Sequence, residues 1–574
     1  MSSYNRFPKT ELHDCAGHVW TGYDSIIDQL RSSIKEDCVL AVETYPGVFD
    51  DEIIPEIQKL EPDLFINTMD LFPSESELTD RMRPFLTDDR VFGRMCYGEI
   101  RDFMNTDRII QAQEKIQEAA GLVIVYGFGA SQICSYDRLV YLDLARWQIQ
   151  LRYRAGMSNY HCHNSSEDIL RKYKRGFFLE WRIADKQKQR LLGHIDYLID
   201  TNEIDHPKMI DGELLNRGLK QTVSGPFRLV PYFDPGVWGG QWMKKVCNLD
   251  PEKKNYAWSF DGVPEENSIL LACDNTVIEL PAMDAVLAYP TQLLGPDVYA
   301  RFGAEFPIRF DFLDTIQGQN LSLQVHPTAE YIHRQFGMAY TQDESYYILD
   351  ADPGAAVYLG LKEGVNSEEM LSALRASEKK GGTFDAEKYI NRFPAAKHDH
   401  FLIPAGTIHC SGAGAMVLEI SATPYIFTFK LWDWGRLGMD GKPRPINVEH
   451  GSHVIQWDRT TPWVKKNLVS PTVKLHEEDA YTEEHTGLHE LEFIETRRYW
   501  IRSEVHLDTE NTVSMANLVE GDEALISSDE GKFEPFTVHY AETFILPADI
   551  GRFTIQAVGK PIGVIRAYVR KPVM

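Results

Sequence analysis

The first 215 residues alternate between short apolar runs and stretches with helical spacing. The helical stretches include 106–120 and 145–156, the second with Trp147, Leu151 and Arg154 at helical spacing. Strand–helix alternation predicts a parallel sheet covered by helices, so residues 1–215 are expected to form an α/β domain. The apolar runs of the buried-strand type are 37–47, 63–72, 121–130 and 138–144.

The pattern changes near residue 225 to short strands with period-two alternation, separated by Gly, Pro and Asp turns. This texture predicts an all-β sandwich or barrel over 225–465. A helical stretch at SEEMLSALRAS (367–377) predicts a helical insertion near 364–396.

The last hundred residues are also rich in predicted strands. FILPADIGRFTI (544–555) repeats the strand, Pro-Ala turn and strand of FLIPAGTIHCSG (401–412), but without the histidine. The repeat predicts a second β domain of the same kind over 470–574, without a metal.

Composition narrows the classes of partner. The chain has 574 residues and a net charge of −26, so more than one core is expected, and nucleic-acid or anionic-membrane partners, which need basic surface, are disfavoured. The N-terminus lacks an apolar signal region and no stretch of 18 apolar residues occurs, so a cytoplasmic protein is predicted. The eight cysteines have no CxxC spacing, which predicts neither a thiolate zinc site nor a disulfide framework.

Four polar residues stand out within the strands of the middle region. In LSLQVHP (321–327), Gln324 and His326 are two residues apart and project from the same face of a strand. Glu344 opens another strand-like run, and His409 follows a Pro-Ala-Gly turn. One amide oxygen, two imidazoles and one carboxylate suit zinc or another divalent first-row metal, so we expect a metal site if these four side chains converge.

Residues 225–574 resemble the class I mannose-6-phosphate isomerases, zinc enzymes of the cupin superfamily. The resemblance is carried by several segments and by the 18-residue step from His326 to Glu344. It implies a double-cupin (jelly-roll) fold and one zinc ion per chain, held by Gln324, His326, Glu344 and His409. The matching segments are GPFRLVPYFDPGVWGG (225–240), KNYAWSFDGVP (254–264), FPIRFDFLD (306–314), LSLQVHP (321–327), PAGTIHCSGAG (404–414) and LWDWGR (431–436).

The resemblance also implies a reaction. These enzymes interconvert an aldose and a ketose by moving a proton between C1 and C2 through an enediol, with the metal as Lewis acid and a general base as proton carrier. Glu419 occupies the position of an acidic active-site residue of the family, and a structural strand glutamate is its alternative role. Lys430 stands near the position of an active-site arginine, and Arg436 is a further cationic candidate.

The chain departs from the family where phosphate would be held. Asp311 and Gln342 stand where the family has lysines, and Lys430 replaces the arginine in a different geometry. Arg309, two residues before Asp311 on the same strand face, would compensate for the aspartate or pair with it. The substrate is therefore expected to be a hexose or a hexose phosphate, with its phosphorylation open.

Residues 1–215 resemble a degenerate P-loop nucleoside or sugar kinase only faintly. A working P-loop needs GxxxxGK[ST], whereas residues 44–51 read Thr-Tyr-Pro-Gly-Val-Phe-Asp-Asp, without a lysine. The two glycines of GFGA (127–130) are only a weak indication of a phosphate-binding loop. The domain is therefore expected to have a structural, regulatory or assembly role, and His161, Cys162 and His163 are expected in a surface loop.

Three hypotheses follow for the whole chain. The first is a metal-dependent aldose–ketose isomerase acting on a small-molecule sugar or sugar phosphate, with its oligomeric state left open. The second is a cupin Fe(II) oxygenase, because two histidines and one carboxylate also bind Fe(II). The third is a non-catalytic sugar-binding or regulatory protein, which the lost cationic residues favour.

Overall fold

A computed structural model describes residues 3–378, 382–422, 426–439, 441, 444–469, 472–487 and 489–571. The chain divides into two compact units. The α/β unit comprises Lys9–Val223 and Glu265–Pro290; the β unit comprises Met1–Pro8, Ser224–Pro264 and Thr291–Met574. Residues 265–290 lie inside the predicted 225–465 domain but group with the α/β unit, whereas the three-domain division stays a prediction.

The strands are numbered in chain order. They are β1 (Thr10–Leu12), β2 (Val19–Thr21), β3 (Cys38–Thr44), β4 (Leu64–Asn67), β5 (Leu122–Gly127), β6 (Arg138–Asp143), β7 (Tyr197–Asp200), β8 (Lys208–Asp211), β9 (Tyr232–Asp234), β10 (Trp258–Gly262), β11 (Ser268–Cys273), β12 (Thr276–Pro281), β13 (Ile308–Asp314), β14 (Leu323–Val325), β15 (Glu344–Ala351), β16 (Ala356–Leu361), β17 (Ile390–Pro394), β18 (His400–Ile403), β19 (His409–Ser411), β20 (Ala415–Ala422), β21 (Phe429–Trp432), β22 (Val473–Glu477), β23 (Tyr481–His485), β24 (Ile494–Ile501), β25 (Glu504–Asp508), β26 (Ser514–Glu520), β27 (Glu523–Ser528), β28 (Phe536–His539), β29 (Thr543–Leu546), β30 (Arg552–Ala557) and β31 (Ile562–Val569).

The α-helices are α1 (Tyr23–Ser33), α2 (Asp50–Gln58), α3 (Glu75–Leu86), α4 (Thr106–Glu118), α5 (Arg146–Arg154), α6 (Ile169–Arg175), α7 (Trp181–Leu191), α8 (Gly212–Val223), α9 (Trp242–Val246), α10 (Met283–Ala288), α11 (Pro290–Leu294), α12 (Pro296–Phe302), α13 (Ala329–Phe336), α14 (Ser367–Ser377), α15 (Ala386–Tyr389), α16 (Val448–Ser452) and α17 (Thr461–Asn467). Side-chain caps mark several helix starts, because they satisfy amide groups without an intrahelical partner. Asn105 caps α4, and Asn366 caps α14, the helix of the expected insertion.

The α/β unit contains a seven-stranded sheet in the order β2-β8-β7-β6-β3-β5-β4. Strands β3 to β7 pair in parallel with one another, whereas β8 pairs antiparallel with both β7 and β2. The parallel strands are almost fully buried, as their apolar runs predict. The mixed α/β character expected for this half of the chain is thus confirmed; its resemblance to a degenerate kinase remains a prediction.

Segment 265–290 adds the β11–β12 hairpin and α10 to the α/β unit. Strand β1 pairs in parallel with β11, and Cys15 forms a disulfide with Cys273, 258 residues away in sequence. The expectation of no disulfide was wrong, because sequence spacing gives no signal for partners this distant. A cytoplasmic location stays a prediction.

Charged side chains of this segment are buried against the rest of the α/β unit. Lys188 Nζ lies 2.7 Å from Asp143 Oδ2 and 2.9 Å from Asp284 Oδ1, and the Lys188 side chain is 1% exposed. Arg182 Nη1 pairs with Glu265 Oε1 at 3.0 Å. Burial of charges is tolerated only with such partners, so segment 265–290 supplies part of the interior charge balance.

The expected surface loop at His161–His163 holds its histidines in local contacts. His163 Nδ1 lies 2.7 Å from Glu75 Oε2, and the His163 side chain is 94% exposed. His161 Nε2 lies 3.1 Å from the carbonyl oxygen of Pro73. These rings are therefore engaged by a carboxylate and a carbonyl of the neighbouring chain segment.

The β unit begins with two antiparallel sheets that carry the candidate site. The six-stranded sheet has the order β18-β15-β20-β13-β10-β9, and the five-stranded sheet has the order β17-β16-β19-β14-β21. Their inward side chains form a core in which β13, β14 and β20 are buried throughout.

Two further antiparallel sheets, β22-β23-β24-β31-β26-β29 and β25-β30-β27-β28, enclose a separate apolar core. The repeated sequence pattern has a shared geometry. The Pro-Ala turn at Pro404 carries the chain from β18 in one sheet to β19 in the other, and the turn at Pro547 carries it from β29 to β30. The position five residues after the proline is His409 in the first case and Arg552 in the second.

Among the described residues, no helix is long and apolar enough to cross a membrane.

Candidate metal centre

The four expected metal ligands come from both sheets of the first β pair. Gln324 is the central residue of β14 and pairs in register with His409, the first residue of β19. His326 follows β14 directly, and Glu344 opens β15 in the facing sheet. Ligands on rigid strands keep their geometry, because the backbone ladder fixes where each side chain begins.

His326, Glu344 and His409 converge on one buried point. His326 Nε2 lies 3.1 Å from Glu344 Oε2, and His409 Nε2 lies 2.7 Å from Glu344 Oε1. All three side chains are 0% exposed. Within the part of the chain that the structure describes, this is the one group of three or more His, Cys, Asp or Glu that could hold a metal ion.

The other nitrogen of each imidazole is occupied by a backbone carbonyl. His326 Nδ1 lies 3.1 Å from the oxygen of Phe427, and His409 Nδ1 lies 2.9 Å from the oxygen of Thr407. A carbonyl only accepts, so Nδ1 carries the hydrogen in both rings. In the neutral rings the Nε2 lone pairs therefore point at the Glu344 carboxylate, an arrangement that a cation between them stabilises.

Buried polar atoms without a hydrogen-bond partner also support a cation at this point. Among the described residues, His326 Nε2 and Glu344 Oε1 are buried without a hydrogen-bond partner. Native interiors leave few such atoms, and a metal ion bound by them would remove both. Burial raises the pKa of Glu344, and His326 and His409 in their protonated form outweigh burial and hold that pKa well below its usual range; a bound cation would take the place of those protons.

Gln324 is the fourth residue of the predicted ligand set. Its side-chain amide lies 3.2 Å from His409 Nε2, with the amide nitrogen assigned to that side. Rotating the amide by 180° presents its oxygen to the same point without other change, because the two ends are nearly isosteric. The residues present would thus offer four donor atoms to a divalent cation.

The Pro-Ala-Gly turn ties the two histidine-bearing segments together. Gly406 N–H donates to the His326 carbonyl oxygen at 2.9 Å, and Ala405 N–H donates to Asp343 Oδ1 at 2.7 Å. Gly406 has φ +87°, and a Cβ there would lie 2.7 Å from Gln456 Cγ and 2.8 Å from the Val454 oxygen. Glycine is required at this position for both reasons.

Glu419 lies on β20 beside this group. It pairs in register with Asp311 of β13 and with Tyr346 of β15, and it accepts a short hydrogen bond from Arg309. Burial, followed by the charges of Asp311 and Glu344, raises the pKa of Glu419 well above its usual range, and Arg309 opposes the shift. Glu419 therefore binds a proton more readily than an exposed glutamate does.

Asp311 and Gln342 are likewise in the site. Burial raises the pKa of Asp311 to about 7, although Arg309 lowers it. Arg309 Nε lies 3.5 Å from Asp311 Oδ1, so the guanidinium contacts the carboxyl groups of both Asp311 and Glu419. Gln342 donates to Glu344 Oε2 at 3.2 Å and thereby steadies the ligand.

The two cationic candidates occupy different places. Lys430 of β21 pairs in register with Gln324, so its half-buried side chain is on the face that carries the metal ligands. Arg436 lies beyond the Trp432 end of β21, where it contacts Asp433 Oδ1 at 2.5 Å and the Asn320 oxygen at 2.7 Å. Because β14 and β21 are antiparallel, that end is away from His326.

The sequence analysis missed two inward residues, Ser421 and Tyr346. Ser421 Oγ accepts from Arg309 Nε at 2.9 Å, and Tyr346 is fully buried. The period-two alternation of strands could have identified both residues. Ser421 lies two residues after Glu419 and Tyr346 two residues after Glu344, so each shares a strand face with a predicted site residue.

Comparison with known proteins relates the chain to sugar-phosphate isomerases. It is 24% identical over 336 residues to a probable mannose-6-phosphate isomerase of Bacillus subtilis, covering 58% of this chain and 96% of that protein. It is 26% identical over 243 residues to a mannose-6-phosphate isomerase of Streptococcus mutans, covering 41% and 71%. The chain is similar to mannose-6-phosphate isomerases. This similarity supports an isomerase enzyme, with its substrate open.

Two further comparisons concern fold and the N-terminal region. The crystal structure of mannose 6-phosphate isomerase from Bacillus subtilis matches with a TM-score of 0.50 and 17% identity, covering 60% of this chain and 100% of that one. A family described as a domain of unknown function (DUF8485) matches residues 22–224. The first match shows fold alone, and the second assigns no activity to the α/β unit.

Proposed function

We propose that the protein is a metal-dependent aldose–ketose isomerase of the mannose-6-phosphate isomerase type, acting on a hexose or hexose phosphate. The observation that carries this proposal is the pair of imidazole Nε2 lone pairs directed at the Glu344 carboxylate. The relatives named above are the independent support for the reaction class.

One zinc ion per chain is the proposed cofactor, with Gln324, His326, Glu344 and His409 as its ligands. A divalent cation bound there supplies a Lewis acid that favours the enediolate form of the sugar. The double-cupin description of the fold is part of the proposal, supported by the two pairs of antiparallel sheets.

Glu419 is the proposed carrier of the proton between C1 and C2. Burial raises the pKa of this carboxyl group, so it accepts a proton more readily than an exposed glutamate, as a proton carrier must. Arg309 fixes its orientation, and Lys430 is placed to stabilise negative charge on the reacting oxygens. Arg436 remains a candidate that would act through Asp433 rather than by direct contact.

A screen of solvent exchange at C2 tests the function. The protein is loaded with zinc, incubated in deuterated water with a panel of hexoses and hexose phosphates, and followed by NMR. Deuterium incorporation at C2 together with aldose–ketose conversion is expected for at least one sugar. If the zinc-bound protein exchanges the C2 hydrogen of no sugar in the panel, the proposal is contradicted.

A cupin Fe(II) oxygenase is the second candidate, because the convergent group contains two histidines and one carboxylate. Gln324 as a fourth ligand favours zinc over this alternative, since Fe(II) oxygenases need open positions. Oxygen consumption by the iron-loaded protein with sugar present, in place of C2 exchange, would select the oxygenase.

For the α/β unit we propose a structural or regulatory role. If this unit is kinase-like, the loop after β3 would face phosphate, but α2 begins there with Asp50, Asp51 and Glu52. Three carboxylates at a helix N-terminus leave no place for a phosphate anion. Non-catalytic sugar binding by the whole chain is the remaining alternative, and the exchange screen decides it.

A further inference from the structure

The inner surface of the six-stranded sheet continues beyond Glu344 as a polar wall. Two rows cross the sheet in register: Arg309, Ser421 and Glu344 in one, and Asp311, Glu419 and Tyr346 in the next. Residues opposite each other on antiparallel strands share a face, so both rows are directed to the interior in which the metal ligands meet. We call Arg309, Asp311, Tyr346 and Glu419 the acidic wall.

Two atoms of the acidic wall have no hydrogen-bond partner among the described residues: Asp311 Oδ1 and Tyr346 OH. Asp311 is 3% exposed and Tyr346 is 0% exposed. Asp311 Oδ1 has an ion-pair contact with Arg309 Nε at 3.5 Å but no hydrogen bond, and a buried acceptor or hydroxyl without a hydrogen bond costs free energy unless a ligand or water satisfies it. The two atoms therefore indicate a ligand with hydroxyl groups, because a hydroxyl both donates to a carboxylate and accepts from a phenol.

The one cationic side chain of the wall is already engaged by neighbours, which disfavours a phosphate group. Asp311 and Glu419 face a single guanidinium, Arg309, which bonds Glu419 and, through Nε, Ser421 Oγ at 2.9 Å. Because Arg309 is committed to these partners, a phosphate group would find no free cationic side chain among the described residues of the wall, whereas uncharged hydroxyl groups need none. Lys430 lies on the five-stranded sheet, paired with Gln324, where it would contact the carbonyl end of a sugar.

We propose that the acidic wall binds the remote hydroxyl groups of an uncharged sugar, with Asp311 as the specificity-determining residue, and that the substrate is an unphosphorylated hexose. This inference rests on the isomerase function proposed above. Asp311 Oδ1 accepts a hydrogen from one sugar hydroxyl, and Tyr346 OH donates to a neighbouring one. The metal ligands hold the carbonyl end, so the wall defines the other end.

The first test compares neutral and phosphorylated sugars on the zinc-loaded wild-type protein. C2 exchange in deuterated water is expected to give a kcat/KM at least tenfold higher for a hexose than for its 6-phosphate. A higher kcat/KM for the 6-phosphate overturns the inference while leaving the isomerase function intact. Absence of exchange with either sugar overturns the isomerase function itself.

The second test measures binding without turnover. A hexitol and its 6-phosphate lack the carbonyl group, so calorimetric titration reports affinity alone. Tighter binding of the neutral hexitol is expected, and Asp311→Asn is expected to weaken that binding tenfold or more with zinc content unchanged. The control Asp522→Asn, at a side chain 74% exposed and paired with Lys560, is expected to bind as wild type.

The outcomes separate the possibilities. Unchanged hexitol affinity in Asp311→Asn shows that Asp311 does not contact the sugar, and tighter binding of the hexitol phosphate by wild type shows that the wall does not disfavour phosphate. Either result overturns the inference. If Asp311→Asn loses zinc or fails to fold, the wild-type comparison of the two hexitols decides alone.

Discussion

At the scale of single residues, each imidazole of the metal centre is oriented by a backbone carbonyl that no sequence pattern reveals. The positions of Gln324 and His326 follow from strand alternation, and His409 follows from the turn before it. The oxygens of Phe427 and Thr407, which hold the hydrogen on Nδ1, are set by tertiary packing. The convergence of His326, Glu344 and His409 was therefore predictable, whereas the orientation of each imidazole was not.

Glu419 gives the sharpest prediction at this scale. Glu419→Gln keeps the shape of the side chain and its contact with Arg309 but cannot take a proton, so C2 exchange should fall by about 10²–10⁴-fold. Zinc content should stay at the wild-type value, measured by elemental analysis. Glu330→Gln, at a side chain 86% exposed, is the matched control and should retain full exchange.

A Glu419→Gln variant that exchanges C2 hydrogen at more than half the wild-type rate would remove Glu419 from the reaction. Loss of zinc in the same variant would assign it a structural role beside Glu344 instead.

At the scale of elements, the strands of the candidate metal centre follow the period-two pattern. The turn between β18 and β19 determines where His409 lies. Glycine at 406 adopts φ +87° and its N–H bonds the His326 carbonyl. The Pro-Ala-Gly sequence predicted a turn, but the contact with the other ligand strand depends on long-range packing. Local sequence could not reveal it.

Gly406→Ala should weaken both stability and zinc retention. The left-handed conformation alone costs about 1–2 kcal/mol for a residue with a Cβ, and the close approach of Gln456 and Val454 adds to it. Gly364→Ala is the control, because Gly364 has φ +79° with nothing within 4 Å of an added Cβ. Chemical denaturation and zinc analysis of both variants measure the difference; equal losses would contradict the role given to the turn.

Segment 265–290 is the element that sequence analysis placed least well. Its strands read as part of an all-β region, and nothing local marks the β1–β11 pairing or the Cys15–Cys273 disulfide. Buried charge pairs such as Lys188 with Asp284 hold it in the α/β unit. Such pairings are long-range and have no periodic signature.

Glu266 in this segment should make the stability depend on pH. Burial raises its pKa to about 8, although Arg146 and the Tyr173 hydroxyl lower it. The folded state therefore holds a proton that the unfolded state has released above its ordinary pKa of 4.5. Between pH 4.5 and about 8 the folded state binds more protons than the unfolded state does. The free energy of unfolding therefore falls as pH rises towards 8.

Glu266→Gln should flatten this dependence, measured by urea unfolding at several pH values from 5 to about 8. Glu203→Gln, at a side chain 63% exposed, should keep the wild-type slope. A slope that persists unchanged in Glu266→Gln would show that Glu266 ionises normally in the folded protein.

At the scale of the whole molecule, the α/β unit is discontinuous in sequence. The region matched by the domain of unknown function ends at residue 224, before Glu265, Glu266 and Asp284 are reached. A fragment of residues 1–224 would leave Arg182 and Lys188 without these carboxylates, and breaking a buried pair costs about 3–5 kcal/mol. The fragment should therefore be less resistant to proteolysis than the full chain.

Adding a synthetic peptide of residues 265–290 should restore protection of the fragment. The matched peptide with Glu265→Gln and Asp284→Asn should protect it less, because these side chains keep their shape but lose the charge that pairs with Arg182 and Lys188. Limited proteolysis followed by mass spectrometry measures both. A fragment that is equally protected without any peptide would contradict the role assigned to segment 265–290.

The most direct test of the metal-dependent isomerase is a zinc titration of the chelator-treated protein, followed by C2 exchange in deuterated water. Exchange should rise in proportion to added zinc and level off at one ion per chain. His326→Ala should neither retain zinc nor exchange, whereas His333→Ala, at an exposed helix position, should match wild type. Equal exchange rates for the metal-free and zinc-loaded protein would contradict the account.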